Sequence, residues 1–301
     1  MLLSQRWIDE KLEMFRRIKV APPLPNDTAG RLHVEGGILK GDGALYVPTG
    51  VKFYNRPSLF VGRPVAIMLH YTGCHASNRP LKDWDKIVGT ADYRLDDTAG
   101  AIIDLKLMCE EIGYIPDAVS LCIQNAMRSR NASWCICVGS QTLPDGHLPV
   151  AQYSPNLSSC GTMNAGSPTQ LWRARKKYGK KVYKTSRDEV RWDGKNYEWP
   201  EIELPDDSGN TLILSNVNSY VIGIEMMNLG PYGLAKRLKY PGLPKVKVGS
   251  RWYEQPSELM IETLKELISA IRAEYGDIPV WGHLDVTKGK IDPWPPFLED
   301  L

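Results

Sequence analysis

Two apolar runs constrain this chain more than any other feature. Val65-Ala66-Ile67-Met68-Leu69-His70 and Tyr220-Val221-Ile222-Gly223-Ile224-Glu225-Met226-Met227 are nearly continuous in apolar residues. A strand with one wet face alternates apolar with polar, whereas a strand covered on both faces does not. Each run therefore reads as a buried central strand, and the helical patterns between them put helices around the sheet. The first run delivers His70 at its C-terminal end, and the strand ends of α/β sheets are where sites gather. The second encloses an acid. A buried carboxylate is costly without a cation, a donor or a bound water beside it, which makes Glu225 a candidate functional group.

The segments between and around these runs fall into order. Trp7, Ile8, Leu12, Phe15 and Ile18 recur at helical spacing over 4–19, and 21–27 breaks that helix with three prolines. Residues 30–60, rich in Gly and short apolar pieces, read as an arm of turns and short strands outside the core. Asp97 is positioned to cap a helix over 98–112 with Ile102, Leu105, Cys109 and Ile112 inward and Gly113 as its stop. Pro116-Asp117 opens a second helix to about 127, with Val119, Ile123 and Met127 inward. Residues 133–138 read as a strand, Pro144-Asp145-Gly146 as a turn and 150–153 as a short strand. Ser257 caps a long helix whose inner face is Met260, Leu264, Leu267, Ile268, Ile271 and Tyr275, ended by Gly276. A short strand over 278–283 follows. The fold class is α/β, a central mixed sheet flanked by helices. An N-terminal helix and arm (1–60) precede the main domain (61–301), which carries insertions near 170–213 and 230–253.

Composition narrows the class. The chain has 301 residues, 43% hydrophobic, with a net charge of +2, so no global attraction to polyanions follows. No stretch approaches the roughly 18 apolar residues of a membrane span. The first ten residues lack the apolar core of a secretory signal. Six scattered cysteines without a CxxC read as small buried thiols, and Cys135 and Cys137 as neighbours on one strand face. Residues 170–200 hold ten Lys or Arg against four acids, with Trp and Tyr interleaved. That mix suits nucleic acid or an anionic wall polymer, but it equally suits a solvated hairpin turning at Asp193-Gly194. No nucleic-acid-binding motif accompanies it.

Near the end, Gly282-His283-Leu284-Asp285-Val286 through Lys290-Ile291-Asp292-Pro293 packs a metal-ligand histidine, a cation and carboxylates into twelve residues. Beside Leu69-His70-Tyr71-Thr72 it reads as the second half of one zinc site. Taken with Asn164-Ala165-Gly166-Ser167 and Asn218-Ser219-Tyr220-Val221-Ile222-Gly223-Ile224-Glu225, these pieces resemble the zinc-dependent N-acetylmuramoyl-L-alanine amidases of the amidase_2 type. That group shares its fold with the peptidoglycan recognition proteins and includes phage endolysins. The pieces occur in family order over about 62–297.

The resemblance implies zinc held by His70, His283 and Asp292, an open ligand set of the catalytic kind. It implies Glu225 as general base and acid and Lys290 as stabiliser of the tetrahedral oxyanion. Lys290 and Asp292 lie two apart, so in an extended segment they share a side. Trp134, where some relatives place a tyrosine, and Asn164, where the family often has a histidine, are the expected substrate contacts. The 283–292 loop is one residue shorter than in some relatives. His33, His75 and His147 lack a motif and read as surface or loop histidines. The implied activity is hydrolysis of the amide between N-acetylmuramic acid and L-alanine in peptidoglycan, by an endolysin-like monomer. Such a chain is made in the cytoplasm and reaches the wall by phage-type release or as a delivered effector. The alternatives are a non-catalytic peptidoglycan-binding module of the same fold and a cytosolic amidase that recycles wall fragments.

Overall fold

The computed structural model describes residues 31–47, 64, 66–89, 101–128, 134–157, 191–192, 197–198, 202–205, 211–214, 221–231, 239, 242–248 and 250–282. The expected N-terminal helix (4–19) and the residues from 283 onward lie outside them. The first described elements are β1 (Leu32–Glu35), β2 (Ile38–Gly41), β3 (Ala44–Tyr46), β4 (Ala66–Tyr71) and β5 (Arg79–Pro80). Helix α1 (Trp84–Gly89), α2 (Ala101–Ile112), β6 (Tyr114–Ile115), α3 (Asp117–Arg128), β7 (Ile136–Val138) and β8 (Val150–Gln152) follow. The later part holds two small hairpins, β9 (Arg191–Trp192) with β10 (Tyr197–Glu198) and β11 (Ile202–Pro205) with β12 (Thr211–Leu214). It continues through β13 (Val221–Met226), the hairpin β14 (Lys245–Val248) with β15 (Arg251–Glu254), α4 (Glu258–Tyr275) and β16 (Val280–Gly282).

One six-stranded mixed sheet, in the order β16-β4-β13-β7-β8-β3, organises these elements. β16, β4, β13 and β7 run parallel, β7 and β8 antiparallel, and β3 parallel to β8. The two apolar runs are adjacent interior strands of this sheet, β4 and β13, and every residue of both is buried. Ile67, Leu69 and Tyr71 of β4 join Ile222, Ile224 and Met226 of β13 in a cluster with Leu264, Leu267, Ile268 and Ile271 of α4. At about 1.5–3 kcal/mol for each fully buried large aliphatic side chain, this layer is the main apolar contribution to the fold. Helix α4 begins as expected. Ser257 accepts a hydrogen bond from the Met260 amide, and Gly276 closes the far end at φ +83°.

A second cluster lies between α2, α3 and the far half of the sheet. It joins Leu105, Cys109, Val119, Cys122 and Ile123 to Leu45, Cys137 and Ala151. Leu45 belongs to β3, so residues 32–46, expected as an arm outside the core, contribute to it instead. Gln152 ties them in: its side-chain carbonyl accepts from the Leu39 amide at 2.7 Å, and its amide donates to Gly37 O at 3.1 Å. A buried amide is retained only where its polar atoms are met in this way. Helix α2 is described from Ala101, and residues 97–100, with the expected Asp97 cap, lie outside the described residues. Two further expectations are corrected. Cys135 and Cys137 do not share a face, because the chain enters β7 only at Ile136; Cys135 lies in the α4 cluster and Cys137 in the other. The 230–253 insertion, read as loop, carries β14 and forms the hairpin with β15.

Candidate active site

The site is built on a row across the sheet. His70, the penultimate residue of β4, is in register with Glu225 of β13, and Glu225 with Cys137 of β7. In-register residues of neighbouring parallel strands point to one face and lie about 4.8 Å apart. Alternation sends Ile67, Leu69 and Tyr71 to α4, so His70 and Glu225 project to the opposite face. Both are buried, at 1% and 5% exposure. They sit at the C-terminal ends of their strands, the end at which α/β sheets assemble sites. β16 ends at Gly282, paired with Leu69. His70 and His283 therefore each follow, in sequence, a member of that paired couple on adjacent parallel strands. His283 itself, with Lys290, Asp292 and Asn164, lies outside the described residues.

Trp134 departs from its expected role. Only 8% exposed, it packs in the α2–α3 cluster with its ring centroid 6.0 Å from that of Tyr153. It is a core residue where a substrate contact was expected, because the approach to β7 turns its ring inward. Its Nε1 is buried without a hydrogen-bond partner among the described residues. Beside Glu225, the Cys137 thiol is held well above its ordinary range, first by a hydrogen bond with Cys122 and then by burial. It is an inert neighbour of the acid.

Loops at the same sheet end carry a polar chain that no motif announces. His75, five residues after His70, places Nε2 at 2.8 and 2.9 Å from the Glu254 carboxylate oxygens and Nδ1 at 3.3 Å from Ser140 Oγ. Ser140 Oγ donates to Asp117 Oδ2 at 2.9 Å. Asp117 is fully buried and also accepts from the amides of Ala118, Ser140 and Gln141. Burial pushes its carboxyl up, and the bonds from Ser140, Ala118 and Gln141 oppose that shift. Glu254 accepts from the Leu229 amide at 2.7 Å, just past β13. These partners come from five separate segments, so no sequence spacing signals them; Asp117 is legible only as a helix start. Gly230 holds this loop at φ +60°, where a Cβ would lie 2.8 Å from the Tyr71 ring.

The residues fit a zinc ion in part. A buried imidazole at a strand end beside a carboxylate is a sound half-site, and two imidazoles with a carboxylate are a donor set zinc accepts. Among the described residues no group of three or more His, Cys, Asp or Glu gathers to hold a metal.

Residues 165–295 match the family model Amidase_2, N-acetylmuramoyl-L-alanine amidase. That span includes Glu225, His283, Lys290 and Asp292, and stops short of His70, Trp134 and Asn164. Among solved structures, the chain is similar to the complex of the N-acetylmuramyl-L-alanine amidase AmiD from E. coli with the substrate anhydro-N-acetylmuramic acid-L-Ala-D-gamma-Glu-L-Lys. That likeness has 14% identity and a TM-score of 0.36, covering 90% of this chain and 65% of the other. This chain thus matches about two thirds of the length of that amidase. No curated protein matches it.

Proposed function

We propose that this chain, which carries an amidase_2 segment over residues 165–295, hydrolyses the amide between N-acetylmuramic acid and L-alanine in peptidoglycan. The observation that carries the reading is the family match, because it encloses the acid, the lysine and two of the three expected ligands. The register of His70 with Glu225 supports it. His70, His283 and Asp292 would hold zinc, which when bound acidifies water and polarises the scissile carbonyl. Glu225 takes the proton of the attacking water and returns it to the leaving amine. Its burial keeps bulk water from competing for that proton. Lys290 donates to the oxyanion that develops at the carbonyl. The substrate is the wall polymer, and phage-type release or delivery as an effector is the route by which an endolysin-like chain reaches it.

The test measures zinc per chain together with new L-alanine amino termini released from peptidoglycan, with and without chelator. One zinc per chain and chelator-sensitive release are expected. His283→Ala or Asp292→Ala should lose metal and release together. A chain that binds no zinc, or one that releases the termini equally well in chelator, would overturn the zinc reading. Stoichiometric zinc without release would point to the binding module.

A further inference from the structure

The hairpin β14–β15 is rooted at the sheet end that carries His70 and Glu225. Glu254 donates its amide to Gly230 O at 3.1 Å, Tyr253 bridges to Pro231, and Gln255 N reaches Pro244 O at 3.0 Å. The Glu254 side chain then joins His75 and the Leu229 amide, tying the hairpin to the loops that follow β4 and β13. Through His75 the tie continues to Ser140, just past β7, and to Asp117 at the start of α3.

The register of the hairpin decides what this tie presents. Lys245 pairs with Glu254 and Lys247 with Trp252, while Val246 pairs with Tyr253. Opposite residues of an antiparallel pair share a face, and alternate residues share it too. Val246 and Tyr253 turn to the apolar α4 cluster. Lys245, Lys247 and Trp252 therefore lie on the same face as Glu254, the face tied to His75. Both lysines are exposed and Trp252 is half-buried. That face carries two cations, Lys245 and Lys247, and one acid, Glu254, and that acid is engaged with His75. The face is thus positive, with an indole beside Lys247.

We propose that this hairpin face is the wall of the substrate groove that selects an anionic ligand. Lys245 and Lys247 engage carboxylates of the stem peptide, Trp252 covers its apolar or sugar part, and His75 is the positioning residue that holds the wall in place. The inference rests on the amidase reading and names the part of the substrate that the site discriminates. Exposed lysines at a groove rim act on encounter and ground-state binding more than on chemistry, so the signature is in KM.

The experiment uses the full chain and two soluble N-acetylmuramoyl peptides, one with D-glutamate and one with D-isoglutamine at the second position. With the acidic peptide, Lys245→Glu/Lys247→Glu is expected to raise KM about tenfold with kcat within twofold. With the amidated peptide the same variant should lose far less. His75→Ala should reproduce the KM effect and speed amide exchange over 245–254. His75→Gln, which keeps a donor toward Glu254, should restore much of both. Equal loss on both peptides, or an unchanged KM in a wild type that cleaves, overturns this inference alone. A wild-type chain that neither binds nor cleaves either peptide removes the amidase reading and this inference with it.

Discussion

The two faces of the central sheet are built from the same strands and do different work. Toward α4, β4 and β13 present Ile67, Leu69, Tyr71, Ile222, Ile224 and Met226, all within one apolar cluster. Toward the other side the same strands present Met68, His70, Gly223 and Glu225. Helices α2 and α3 cluster there with residues of β7, β8 and β3, while His70 and Glu225 occupy the β4–β13 half. Both faces are dry. What separates them is which residue type the two-residue period sends to each side, so a single-residue change of register would exchange core for chemistry.

The sharpest way to test this division is to damage one face and read both properties. Glu225→Gln keeps size and removes the proposed base. A general base contributes about 10²–10⁴-fold, so release of L-alanine termini should fall by that factor while thermal unfolding moves by only a few degrees. Near-wild-type rates would remove Glu225 from the mechanism. The converse variant is Leu267→Ala. Leu267 is fully buried at the centre of α4, and truncation there should cost about 2–5 kcal/mol in chemical denaturation. The kcat and KM of the molecules that remain folded should stay within twofold. A fall in kcat matching that of Glu225→Gln would mean the two faces are not separable.

Part of this division is legible in the amino-acid sequence. The apolar runs mark β4 and β13 because burial on both faces abolishes alternation, and the stripe from Met260 to Tyr275 with its Ser257 cap and Gly276 stop marks α4. His70 and Glu225 stand out for a local reason: each is a polar residue inside or closing an apolar run. Their side-by-side register is not a local property, since it depends on how two strands 155 residues apart, from His70 to Glu225, align. His75, Ser140, Asp117 and Glu254 escape for the same reason, each looking like an ordinary loop or cap residue until the fold joins them. Trp134 misleads because a motif position does not fix exposure, and the bend at Cys135 turns it into the core. The hairpin β14–β15 hides behind its short length, with Lys245-Val246-Lys247-Val248 alternating over only four residues.

The smallest effect asks whether the chemical face is as well covered as the apolar one. The free thiols of Cys109, Cys122, Cys135 and Cys137 are buried, and that of Cys74 is exposed. Cys135 belongs to the α4 cluster and Cys137 to the other, beside Glu225. A thiol reacts as thiolate, so reactivity requires both access and a pKa near ambient pH. Burial pushes Cys109 up to about 12, and Cys137 is held well above its ordinary range. At pH 8, alkylation followed by peptide mapping should therefore, among these five described cysteines, modify Cys74 first and leave the four buried ones unlabelled until the protein unfolds. Equal silence of Cys135 and Cys137 is the expected outcome. Native-state labelling of Cys137 alone would mean that water reaches the sheet beside Glu225, and the acid would then work in a wet site. The comparison of two equally dry faces would fail at that one residue, while the apolar layer under α4 would stand.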